Sequence, residues 1–273
     1  MLRRAVAGAL IIFIPAFATP AGAQLRPLEP IPWTVFERNH VIEYEVGASR
    51  IFGQRASLAG TSGTLTELGN FLLTWRTGRV ALEAAGTLAR VFRDRSRFAD
   101  AYAGVESPSN NRRRDAGDYR VSTAVRLTPL EYPLIGVLRF GTRLPTTTDF
   151  PGLDRNATDF FATVGGSGRH GPFSAQAEGG LGINGTREKF QQQNVFVYAA
   201  RVGATAGSWM PTIAALGQIN NNGKNVIRGV ENLGEVRLGI RYSRTFWLQM
   251  EGIRGYSTFS PSNGILISAG YSR

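Results

Sequence analysis

Cysteine is absent from the 273 residues, which excludes a disulfide framework, a thiolate metal site and a lipidated cysteine anchor. Lysine is nearly absent too: Lys189 and Lys224 stand alone among 31 basic residues, and the rest are arginine. The two histidines, His40 and His170, are too few for a histidine-rich metal site. No G-x-S-x-G elbow, H-E-x-x-H helix or P-loop is present, so nothing in the sequence points to an enzyme, a cofactor or a metal. After the first two dozen residues, no uncharged apolar run approaches the roughly 18 residues of a membrane helix, which excludes a helical membrane bundle. The formal charge of +11 raises the question of nucleic acid, but the arginines are scattered along the chain. A nucleic-acid binder gathers them on one face or helix, so that partner is excluded.

What is present begins with an export signal. Arg3 and Arg4 precede an apolar stretch from Ala5 to Ala18, and Ala21-Gly22-Ala23 reads as a small-x-small cleavage site before Gln24. Residues 1–23 are therefore expected to be a signal peptide. Residues 24–40, with Pro27, Pro30 and Pro32, are expected to be an irregular periplasmic lead-in, and residues 41–273 the folded domain.

From Val41 onward the sequence alternates with a period of two. Ile42, Tyr44, Val46 and Ala48 are interleaved with Glu43, Glu45, Gly47 and Ser49; Tyr119, Val121, Thr123 and Val125 with Arg120, Ser122, Ala124 and Arg126. Val236, Leu238, Ile240 and Tyr242 stand against Glu235, Arg237, Gly239 and Arg241, while Phe161 breaks the rule between Phe160 and Ala162. Such alternation puts one set of side chains on each face of a sheet. About twelve segments of roughly ten residues recur, the length of tilted membrane strands. Short links at Arg76–Arg79, Thr128–Pro133, Arg169–Pro172, Gly207–Pro211 and Ser243–Thr245 alternate with polar links at Gln54–Gly63, Asp94–Gly117, Pro145–Asn156, Asn184–Asn194 and Asn221–Asn232. A medium link, Ser257–Gly264, falls where another outer loop is due. The pattern predicts an all-β fold: an up-and-down antiparallel transmembrane barrel of about 12 strands, with short periplasmic turns, longer outer loops and a monomeric state.

A soluble β-sandwich would also alternate. Two features favour the membrane. The polar face is rich in Gly, Ser and Thr, which suits a confined lumen. Aromatic residues recur near segment ends at Trp75, Tyr119, Phe173, Trp209, Tyr242, Phe246, Trp247 and Tyr271, as in interfacial girdles.

If the apolar face meets lipid, the lumen receives Glu43, Glu45, Glu83, Arg120, Arg126, Arg139, Arg143, Asp159, Glu178, Arg201, Glu235, Arg237, Arg241 and Glu251. Charges in such an enclosure must be paired or hydrated. Either they form arginine–carboxylate pairs that fill the interior, or Arg120, Arg126, Arg139 and Arg143 form a positive strip that selects anions. The arginine-rich link 94–117, with Arg112-Arg113-Arg114, reads as a solvated loop, a constriction, or a contact for lipopolysaccharide phosphates. Outer-membrane lipid and lipopolysaccharide are the expected partners, together with a small solute.

The run Arg139-Phe140-Gly141-Thr142-Arg143-Leu144-Pro145-Thr146, the later Thr158-Asp159-Phe160, Gly179-Gly180-Leu181-Gly182, and the ending Leu238-Gly239-Ile240-Arg241-Tyr242 … Gly270-Tyr271 carry a resemblance. They resemble the "MetA-pathway of phenol degradation" outer-membrane transporter family, over about the second half of the chain. The resemblance implies a barrel that passes small, often aromatic or hydrophobic compounds. The final Tyr271-Ser272-Arg273 departs from the terminal aromatic residue usual in outer-membrane barrels. Three functions follow for testing: a passive channel, a plugged structural or adhesive barrel, and a barrel-embedded hydrolase.

Overall fold

The computed structural model describes residues 36, 42–105, 109–145, 152–153, 157–185, 192–223, 226 and 228–273. Residues 1–23, expected to be a signal peptide, and His40 lie outside these residues, and of the expected lead-in 24–40 only Phe36 is described. The strands are β1 (Ile42–Ala56), β2 (Thr61–Thr77), β3 (Val80–Arg97), β4 (Arg112–Asp115), β5 (Tyr119–Arg126), β6 (Ile135–Leu144) and β7 (Asp159–His170). They continue as β8 (Phe173–Gly185), β9 (Gln192–Ala204), β10 (Trp209–Ile219), β11 (Leu233–Ser243), β12 (Phe246–Gly255) and β13 (Asn263–Ser272). Successive strands pair antiparallel, except that β4 and β5 both pair with β3 and β5 goes on to β6; β1 pairs with β13, so the sheet closes on itself. Reciprocal bonds between Ile42 and Arg273 (2.9 and 2.8 Å) finish the seam.

Twelve staves make the wall, because β4 and β5 are two parts of one stave. Gly86 opposes Tyr119 and Arg90 opposes Asp115 in a single register along β3, interrupted only at residues 116–118. The apolar set faces outward, as the alternation predicts: Ile42, Leu82, Phe140, Val164, Leu181, Ile213, Leu238 and Ile267 are all exposed. At the short-turn end, Tyr44 meets Tyr271 (5.7 Å between rings) and Trp209 meets Tyr242 (4.8 Å), forming an aromatic girdle with exposed Trp75, Phe173 and Phe246.

Three expectations need correction. The links at 54–63 and 94–117 are shorter than read: β1, β2 and β3 run 15, 17 and 18 residues. Their polar ends stay paired above the apolar belt, and a polar strand end looks like a loop in sequence. Trp247 is not a girdle residue; it is 3% exposed and faces inward, with the Arg241 guanidinium 4.0 Å from its ring. Simple alternation also fails in β2 and β3. Gly69, at φ 68°, adds a residue to β2 against β1. Below it Asn70 and Thr74 share the inward parity; above it Glu67 and Leu65 do, and β3 makes the same change between Thr87 and Arg90.

Candidate functional site

The inward faces build a lumen in which charge is paired rather than displayed. Arg139 on β6 is 1% exposed; its Nε donates to Glu83 of β3 (2.9 Å) and its Nη1 to Glu178 of β8 (2.8 Å). Ser122 donates to the same Glu83 oxygen, and Arg120 stands within electrostatic reach of both glutamates. Two arginines thus answer two glutamates. The Arg139 guanidinium also lies 5.6 Å from the Phe161 ring, which explains why Phe161 departs from the outward aromatic pattern: it faces the lumen.

Toward the outer end, Arg143 is held between Asp118 (2.8 Å) and Asp159 (2.6 Å). Arg143 and Asp159 are direct cross-strand partners, so two of the short sequence motifs form one ion pair. Asp118 also meets Arg90 (3.8 Å), which reaches Glu67 (3.4 Å), to which Ser49 donates (2.8 Å). On the opposite wall Arg237 donates to Glu235 (2.7 Å) and Glu251 (3.4 Å), while Arg201 and Gln249 also reach Glu251 (3.1 and 2.7 Å). Arg241 stacks on Trp247, and its Nε donates to the Ser243 hydroxyl (3.2 Å). Glu43 and Glu45 face inward near the seam's periplasmic end, and each has an interaction partner.

Arg126 has a different task from the one the strip reading gives it. Its guanidinium donates to the carbonyls of Thr128, Pro129, Leu130 and Tyr132 (2.7–3.3 Å), gathering the β5–β6 turn, and to the carbonyl of Phe36 (3.3 Å). Phe36 itself is buried among Ala81, Ala124, Ile135 and Val137, inside the periplasmic end of the barrel. Arg120, Arg126, Arg139 and Arg143 therefore do not make a bare positive strip. Arg139 and Arg143 are clamped between carboxylates, and Arg126 is spent on backbone.

The lumen set read from the sequence omits Glu67, Arg90, Asp94 and Asp118, and it leaves Arg113 in a link read as a solvated loop, a constriction or a lipopolysaccharide contact. Arg113 pairs with Asp94 (3.0 Å) at the mouth, and Thr61 donates to the same carboxylate. Glu67 and Arg90 lie past the Gly69 irregularity, where the period of two changes phase. The others lie in a segment that reads as loop. Gly69 inside an alternating run was the available signal.

Between the charged groups the lumen carries apolar patches. At the outer end Ile51, Leu65 and Phe92 point inward from β1, β2 and β3, and Ala59, Val105 and Leu153 from the outer links pack on them. Across the mouth, Phe161, Val195 and Val197 cluster with Val230, next to Ala199, Ala214 and Leu216. Of the two histidines only His170 is described, exposed at the β7–β8 turn.

No protein-family model matches the chain, so the motif resemblance has no support from that comparison; no curated protein matches it either. Solved structures do. The COG4313 outer membrane channel from Pseudomonas putida F1 is similar with a TM-score of 0.55 and 12% identity, over 86% of this chain and 96% of that one. Weaker likeness is found to the outer membrane phospholipase A from Escherichia coli (TM-score 0.43, 12% identity, 85% and 89% covered). The Ralstonia pickettii toluene transporter TbuX stands at 0.41, with 10% identity over 89% and 91%. At these identities the likeness establishes the fold, an outer-membrane-type β-barrel, and a fold alone does not assign a function.

Proposed function

We propose that this chain is an outer-membrane channel for small, uncharged, apolar or aromatic solutes. The observation that carries the reading is the composition of the lumen wall. Among the described residues Arg90, Arg139, Arg143, Arg201 and Arg237 are held by carboxylates and Arg126 by backbone carbonyls, so most of the interior arginine charge is compensated within the protein. Its outer mouth holds one apolar cluster of Ile51, Leu65 and Phe92, packed beneath Ala59, Val105 and Leu153, and another of Phe161, Val195 and Val197 with Val230. Apolar groups of this kind favour an apolar solute, whereas an anion would lose hydration where most of the described inward arginines already hold a partner. The motif resemblance to phenol-degradation transporters favours the same solute class, and the likeness to the Pseudomonas putida channel supports a channel on this fold.

The packing of Leu153, Val105 and Ala59 against the mouth favours a second reading, a barrel closed by its own loops with a structural role. One experiment separates the two. Porin-depleted cells carrying the barrel are expected to take up N-phenyl-1-naphthylamine several-fold faster than cells with an empty vector. Equal rates, with the folded barrel present as a heat-modifiable band, would leave the closed structural barrel standing.

A further inference from the structure

The outward face of the wall ends, on β3 and β4, in arginine. Arg93 and Arg112 are direct cross-strand partners, and both are exposed. Arg114 shares their face, opposite Val91, and Arg95 is the exposed extra residue of β3 where its register with β2 shifts. Between them, Arg113 points the other way and is buried on Asp94, so the outward arginines cannot use that carboxylate. Among the described residues no ion pair joins Arg93 or Arg112 to an acid. Like charges directly opposite one another in a ladder are unfavourable, which makes this pair an anomaly that a bound anion would remove.

Height along the barrel names the anion's source. Leu82 of β3, paired with Trp75, marks the periplasmic girdle. Arg93 stands 11 residues further along the strand. At about 3.3 Å per residue and a tilt near 40°, that is a rise of roughly 28 Å, against an apolar belt about 25 Å tall. The guanidinium groups therefore sit at the outer edge of the belt, facing away from the lumen, where the phosphates of outer-leaflet lipid lie. Arg50 faces the same way on β1, on the rung that runs through Thr66 and Val91 to Arg114.

We infer that Arg93 and Arg112, with Arg114 beside them, form a binding site for the phosphate of lipid A, the anchor of lipopolysaccharide. Guanidinium forks bind phosphate through paired charge-assisted hydrogen bonds, and arginine suits the task better than lysine. The site rests on the barrel sitting in an outer membrane, not on which solute passes through it.

The test uses refolded residues 24–273 in detergent and native mass spectrometry, with bisphosphorylated lipid A, dephosphorylated lipid A and inorganic phosphate as probes. Bisphosphorylated lipid A should be retained, and Arg93→Gln/Arg112→Gln should weaken retention about tenfold or more. Arg169→Gln, at the periplasmic end, should leave it unchanged. Without lipid, the double variant should unfold at a denaturant concentration no lower than wild type, because it loses a repulsion; with lipid A the order should reverse. Equal retention of dephosphorylated lipid A would show acyl contact alone and overturn the site. So would displacement by equimolar inorganic phosphate, which would make it a free-anion site, or a double variant that binds as wild type does. Hydrocarbon uptake through the barrel is read separately, so failure here leaves the channel reading intact, and the converse holds.

Discussion

Replacing Arg139 with alanine tests whether the lumen's charges act as one compensated set. The side chain is 1% exposed and bridges Glu83 and Glu178 at 2.9 and 2.8 Å. Its removal leaves two buried carboxylates facing Arg120 alone. Breaking a buried pair by deleting one partner costs about 3–5 kcal/mol, because the other charge stays desolvated. The lost contact with the Phe161 ring adds about 1 kcal/mol. Arg139→Ala should therefore destabilise the barrel by about 4–6 kcal/mol, read from guanidinium unfolding in micelles by tryptophan fluorescence. Arg139→Met/Glu178→Gln restores one acid to one base, Glu83 to Arg120, and fills the volume with an apolar chain. That double variant should recover most of the loss, to within about 2 kcal/mol of wild type. A single-variant loss below about 1 kcal/mol, or a double variant no better than the single, would refute the compensated network.

Substitutions at two further positions probe the wall itself. At Gly270 an added Cβ would lie 2.4 Å from the Trp247 ring and 2.5 Å from the Tyr44 carbonyl oxygen, so Gly270→Val should prevent closure at β1 and abolish the heat-modifiable band on electrophoresis. Gly270→Ala should show the same defect in milder form. Arg126→Ala frees four turn carbonyls and should expose the β5–β6 turn to protease at residues 127–134, with the rest of the barrel intact by mass mapping.

Alternation in the sequence revealed most of the wall because lipid outside and polar groups inside impose a period of two on nearly every strand. Turns such as Ser243–Thr245 were legible for the same reason: the phase stops and restarts. The inward direction of Glu83, Arg139, Asp159, Glu235 and Glu251 followed directly. Who pairs with whom did not. Arg139 meets Glu178 two staves away, and Arg201 meets Glu251 three staves away. Such contacts depend on barrel diameter and stagger, which local periodicity does not carry. The phase change at Gly69 hid Glu67 and Arg90, because a one-residue shift exchanges the two faces. Trp247 was misread since an aromatic residue near a strand end fits a girdle unless its parity is followed from Phe246, which is the outward neighbour.

The proposed selection of apolar solutes runs through the outer-mouth cluster of Leu65 and Phe92, which face inward and pack beneath Ala59, Val105 and Leu153. The most direct measurement is N-phenyl-1-naphthylamine uptake by porin-depleted cells carrying either wild type or Leu65→Gln/Phe92→Gln at matched levels of folded barrel. A several-fold slower rate is expected for the variant. An unchanged rate, well above the empty-vector rate, would contradict it and place the passage elsewhere in the barrel.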